Sequence, residues 1–168
     1  MTDTILVALD GSRLAEQALT HTCRLARQTR AALVLLRVAP FTTISENVAA
    51  PWSGTVWEAE QYLTGVRERL ARDGITARAI VVPGDAPRGI VAVAETGGAD
   101  LIAMGAHGRS GPRQALLGTV AQAVLHRTTM PDSWCMARTG LAWTAPSDFT
   151  PSWCQWMARP LRKRRSRI

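Results

Sequence analysis

Four short apolar runs constrain what this chain can fold into. They are Ile5-Leu6-Val7-Ala8-Leu9, residues 31–38 (AALVLLRV), residues 77–82 (ARAIVV) and Ala99-Asp100-Leu101-Ile102-Ala103. None alternates polar with apolar, and each is shorter than an ordinary helix. Runs of this kind mark strands covered on both faces. Segments with helical spacing lie between them. From Arg13 to Thr29, Leu14, Ala18, Leu25 and Ala26 recur among Arg and Gln, with Ser12 placed as an N-cap. A second helix is expected from about Val56 to Arg72, after a loop over residues 41–55, and Asp73-Gly74 stops it. Pro87 suits the first turn of a third helix that ends at Thr96-Gly97-Gly98. A fourth runs to about Arg127. Strand and helix in alternation imply βαβ units, hence an α/β fold with an open parallel sheet and helices on both faces. No internal repeat is visible.

In such sheets ligands bind beyond the carboxyl ends of the strands, where the strand order reverses. Asp10, Val38 and Gly105 end three of the expected strands and would converge there. The stretch from Met104 to Val120 (MGAHGRSGPRQALLGTV) has the spacing Gly-x2-Gly-x9-Gly-Thr over Gly105, Gly108 and Gly118-Thr119. Glycines let backbone amides approach an anion, and a helix amino end adds unpaired donors and partial positive charge. The Thr119 hydroxyl adds another donor. The residues therefore point to a phosphate-holding, nucleotide-binding turn. Gly118-Thr119 would otherwise be an odd choice inside a helix, where Gly costs ~1 kcal/mol relative to Ala.

Composition narrows the class. The chain has 168 residues, 46% of them apolar, which fits one soluble domain. No apolar run approaches the ~20 residues of a membrane span. The start, MTDTILVALDG, carries an acid and enters a strand pattern at once, so no signal peptide is expected. Cys23, Cys135 and Cys154 are too scattered for a disulfide scaffold or a CxxC metal site. A cytoplasmic protein is the resulting expectation. Cys23 reads as a small hydrophobe, Met104 as packing, and His21 and His126 as surface positions. The net charge is +7, but residues 132–168 contribute seven Lys or Arg against two Asp, so the remainder carries +2. Nucleic acid is thus not indicated as a partner of the folded part.

Three blocks of sequence resemble the universal stress protein family, in its ATP-binding branch. They are ILVALDGS, GDAPRGIVAVAETGGADLIAMGAHGRSG and ALLGTVAQAVLHRTTMP, and the resemblance covers about Ile5 to Pro131. It implies a Rossmann-like five-stranded sheet of order 3-2-1-4-5, an adenine nucleotide (ATP, with Mg as its metal) and a homodimer along the last strand. By position it implies that Asp10 contacts the ribose or a phosphate-bound Mg, and that Ala8 and Val38 touch adenine. Gly105 and Gly108 would face ribose and phosphates, with His107, Arg109 and Ser110 over them. Gly118, Thr119 and Val120 would hold the phosphate tail.

Ordinary alternatives remain for these residues. Asp10 before Gly-Ser fits a turn and cap acid, the glycines could serve strand-to-helix packing, and His107 reads as a loop hydrogen-bonder. Catalysis has little support: the loop lacks the lysine of Gly-x4-Gly-Lys-Ser/Thr, and no residue is placed to position an attacking water. The expected role is a nucleotide-dependent stress-response module. A slow ATPase or nucleotidyl-transfer enzyme on the same fold, and nucleic-acid binding through the tail, are the alternatives.

The tail departs from this pattern. After Pro131 an apolar fifth strand is due, yet residues 132–168 hold four of the six tryptophans with no period of 2 or 3.6, so the strand is expected to be degraded or missing. The division expected is a nucleotide-binding domain over 1–131 and a poorly ordered basic tail over 132–168. If Ser133 has a TCN codon, reading Asp132–Ala137 from the third base encodes Leu/Phe, Leu/Val/Met, Val, His/Tyr, Gly. A reading-frame slip would account for the lost strand and the foreign composition together, and the coding DNA tests it. A basic arm at Arg159–Arg167 for nucleic acid or an acidic membrane, with Trp stacking on bases, ranks below disorder.

Overall fold

The computed structural model describes residues 3–40, 52–106, 118–128, 134–138 and 141–142. In chain order the elements are β1 (Thr4–Ala8), α1 (Arg13–Thr29), β2 (Ala32–Ala39), α2 (Trp52–Arg72), β3 (Ala77–Pro83), α3 (Ala86–Thr96), β4 (Leu101–Gly105), α4 (Thr119–Arg127), β5 (Trp134–Arg138) and β6 (Leu141–Ala142). They form a sheet of order β3-β2-β1-β4-β5-β6. All neighbours are parallel except β5 and β6, which are antiparallel.

The expected α/β architecture and the order 3-2-1-4-5 are present, with a sixth strand added. Of the two outcomes expected for the last strand, degraded or missing, it is not missing: a short strand over Trp134–Arg138 pairs at the edge, where a short Ser133–Ala137 strand was the sequence's remaining possibility. β5 pairs with β4 from Ile102↔Trp134 to Gly105↔Ala137, and β6 then folds back on it through Ala137↔Ala142 and Arg138↔Leu141. A ladder is built from backbone groups, so it does not require the alternation that this segment lacks.

Unbroken apolar strands are explained by the two layers that cover them. Ile5, Val7, Leu33, Leu35, Leu101 and Ala103 face α1 and α2, where they meet Leu19, Leu63, Val66 and Leu70. Leu6, Leu36, Ile102 and Met104 face α3 and α4, against Ile90, Ala94, Ala121 and Val124. Ile5, Val7, Leu35, Leu36, Ile102 and Val124 are wholly buried. Each such side chain favours folding by ~1.5–3 kcal/mol over its exposed state. Among the described residues one polar side chain shares this interior, Thr22, whose hydroxyl donates to the Ala18 carbonyl at 2.7 Å. No helix among the described residues is long and apolar enough to cross a membrane.

Candidate functional site

Helices α1 to α4 all begin at the carboxyl end of the sheet, and the three caps that are described differ. Ser12 caps α1, its Oγ accepting from the Ala15 amide at 3.2 Å. Asp85 caps α3, its Oδ2 accepting from the Arg88 amide at 3.2 Å. Gly118 caps α4 and offers no side chain. The Gly118 amide donates to the Ala106 carbonyl at 2.7 Å. The amides of Thr119, Val120 and Ala121, in the first turn of α4, have no intrahelical acceptor. Ser12 and Asp85 thus cap α1 and α3 with their own side chains, whereas no side chain among the described residues caps α4. Gly118 does not lie within the helix, as a mid-helix cost would require; it is the residue before the first turn, at φ −70° and ψ 157°.

A cleft opens beside this end, with about 90 Å³ enclosed and about 510 Å³ when space shared with solvent is counted. It sits over the ends of β1, β2 and β4, at the reversal of strand order. Of the residues expected from sequence, Ala8, Asp10, Val38, Gly105 and Val120 line it together. Gly118 and Thr119 adjoin Val120 at the start of α4, with Thr119 exposed. His107, Gly108, Arg109 and Ser110 lie outside the described residues. The lining is largely apolar, as a flat heteroaromatic ring would need. Leu36, Ala86, Ile90 and Met104 contribute to it without having been expected. Leu36 had a usable signal, because it stands two residues from Val38 on one face of β2. Met104 is buried packing, as expected, and also part of the wall.

Asp10 is tied to the local turn. Its Oδ1 accepts from the Ser12 amide at 2.9 Å, and Gly11 between them takes φ +80°, where a side chain would be strained. The turn role weighed from sequence is thus real, and it holds the carboxylate at the cleft. No group of three or more potential metal ligands occurs among the described residues. A lone carboxylate does not make a metal cage; it suits a Mg ion carried mainly by a ligand's phosphates. Gly89 of α3 supports the wall: a Cβ there would stand 3.0 Å from a Val38 methyl. His21 and His126 are exposed. Cys23 is buried, which pushes its thiol pKa up and keeps it protonated.

The comparisons with known proteins agree with this geometry. The family model described as "Universal stress protein family" matches residues 1–132. The chain belongs to the universal stress protein family. Universal stress protein YxiE of Bacillus subtilis is 27% identical over 146 residues, covering 78% of this chain and 97% of its own length. The solved structure of MJ0577, a universal stress protein of Methanocaldococcus jannaschii, superposes with a TM-score of 0.73 at 26% identity, covering 83% of this chain and 99% of that one. A universal stress protein from Archaeoglobus fulgidus, solved in complex with dAMP, has the same fold at a TM-score of 0.61 and 18% identity, covering 82% and 98%.

Proposed function

We propose that this universal stress protein binds an adenine nucleotide, ATP foremost, in the cleft and acts as a nucleotide-dependent stress-response module. The observation that carries the reading is the side-chain-free cap of α4, which leaves amide donors beside an apolar, strand-end cleft. Ala8 and Val38 are assigned to adenine, and Asp10 to the ribose or a phosphate-bound Mg. Gly105 and Gly108 serve the ribose and phosphates, with His107, Arg109 and Ser110 over them, and Gly118, Thr119 and Val120 take the phosphate tail. The dAMP complex of the Archaeoglobus relative supports a nucleotide within this fold.

Magnitudes assign the work. Charge at one helix end contributes ~0.3–1 kcal/mol, whereas micromolar binding requires about −8 kcal/mol. Burial of the base and the hydrogen bonds to the phosphates supply the difference. A cytoplasmic location and a homodimer along the last strand accompany this reading, with β6 occupying part of the edge concerned.

Calorimetry of the full chain with ATP, ADP and AMP, with and without Mg, tests it. ATP should bind with micromolar affinity, and Asp10→Asn should retain the turn while blunting any Mg dependence. A folded chain that gives neither heat nor thermal shift with any of the three overturns the proposal.

A further inference from the structure

A second concavity lies on the other layer of the molecule, between α1 and α2. Its volume is about 500 Å³, within the range of small-molecule sites. The floor is apolar: Leu19, Cys23, Leu70 and Ile75 are all buried there. Three guanidinium groups, those of Arg24, Arg27 and Arg69, stand around it, against the carboxylates of Glu16 and Asp73. The rim thus carries one net positive charge.

Two of the arginines are fixed. An Arg69 Nη2 donates to Glu16 Oε2 at 2.6 Å, and an Arg27 Nη2 donates to the Asp73 carbonyl at 2.8 Å. Each tether uses one nitrogen of a five-donor fork and leaves the remainder available. Among the described residues no carboxylate pairs with Arg24. Glu16 is itself held, because it accepts from the Tyr62 hydroxyl as well. A fork ordered before its ligand arrives loses less freedom on binding, which favours affinity.

We infer that the α1–α2 groove is a second ligand site, for a small organic oxyanion whose phosphate or carboxylate meets Arg24, Arg27 and Arg69 while its apolar body covers the floor. The site is separate from the cleft: it lies against the layer of α1 and α2, and it uses neither the turn at Asp10 nor the amino end of α4.

Amide resonances of the full-length, isotope-labelled chain, titrated with phenyl phosphate, phenylacetate and inorganic phosphate, provide the test. Either aromatic anion should shift amides over residues 19–27 and 69–75 in a saturable way, and inorganic phosphate should bind more weakly. Arg24→Gln, at an exposed position, should weaken the aromatic anions several-fold, and Arg24→Gln with Arg27→Gln at least about tenfold. Both variants should leave the shifts produced by ATP at residues 118–121 unchanged. Retention of native dispersion in Arg24→Gln alone keeps the test valid if the double variant fails to fold. Shifts that do not saturate, that are insensitive to Arg24→Gln, or that are equalled by inorganic phosphate or by neutral benzyl alcohol overturn the inference. Because the readout is local to α1 and α2, its failure leaves the nucleotide reading untouched, and the reverse also holds.

Discussion

The Gly118 amide donates to the Ala106 carbonyl at 2.7 Å, so the chain that leaves β4 returns to the same rim of the cleft before α4 begins. This contact positions the first-turn amides that follow, which have no intrahelical acceptor. It also makes Gly118 a place where stability and ligand affinity can be separated.

Gly118→Asp supplies the side-chain cap that α4 lacks. Aspartate at an N-cap should raise stability by a few tenths of a kcal/mol relative to glycine. The same carboxylate would occupy the amides and repel phosphate, so ATP affinity should fall at least about tenfold, or ~1.4 kcal/mol. Thermal unfolding and calorimetry measure the two effects independently. Undiminished affinity would mean that these amides do not face the nucleotide.

Gly89→Ala tests the wall. The new Cβ would press on Val38, whose methyl lies 3.0 Å from its position. Alanine gains ~1 kcal/mol in helix propensity, which offsets the crowding, so the net change in stability should stay within about 1 kcal/mol. Val38 lines the cleft, and its displacement should lower adenine nucleotide affinity several-fold. Unchanged affinity in calorimetry would remove Val38 from the base site.

Tyr62 is the only tyrosine of the chain, so tyrosinate absorbance reports it alone. Burial pushes its pKa far above the ordinary 10.0, and the hydrogen bond to Glu16 adds to the rise, outweighing Arg37 and Arg69. Arg37 stacks on the ring at 4.6 Å. A folded pKa raised above the unfolded value contributes stability that is whole below pH 10 and drains away as pH climbs past it. No ionisation should therefore be seen at pH 10–11 until the fold opens. Glu16→Gln should bring the ionisation down toward the free value, and a native chain titrating at pH 10 would refute the assignment.

Asp100 joins β4 to the start of β1, its Oδ2 accepting from the amides of Asp3 and Thr4, each at 2.9 Å. Those bonds hold its pKa below the ordinary carboxylate value. Depression of the folded pKa means that the stabilisation is present above ~pH 4 and is lost as pH falls further. Asp100→Ala should cost roughly 1 kcal/mol at pH 7, given its surface setting, and close to nothing below pH 3. Denaturant midpoints at the two pH values provide the comparison, and an equal loss at both would contradict the charge-based account.

Much of this architecture was legible in the sequence because single residues forced it. Ser12 began α1 at Arg13 as expected, and Gly74 at φ +72° followed the end of α2. The positions grouped from strand ends, Asp10, Val38 and Gly105, do share one cleft, together with Ala8, which the family resemblance implied. Elements governed by long-range contact were harder to read. β4 ends at Gly105 as expected but begins at Leu101, not at Ala99, because the Ala99 amide is spent on the Ala94 carbonyl at the end of α3. α2 starts at Trp52, four residues before Val56, through a Ser-Gly pair that resembles a loop. β5 was expected only as a degraded or missing strand because its segment shows no side-chain period, while β4 supplies the backbone ladder it joins. On the cleft, Ala86 and Ile90 come from α3, whose distance across the sheet no local spacing encodes.

A sheet grows by accepting strands at its rim, and an open rim accepts them from any source, including another copy of the same protein. Here the polypeptide turns back after Arg138 and lays Leu141–Ala142 against Ala137–Arg138 in the opposite direction. Over those two residues the molecule has already taken the place that an incoming chain would seek. An incoming strand would there meet the outer edge of Leu141–Ala142, and only over Trp134–Met136 could it reach β5 itself.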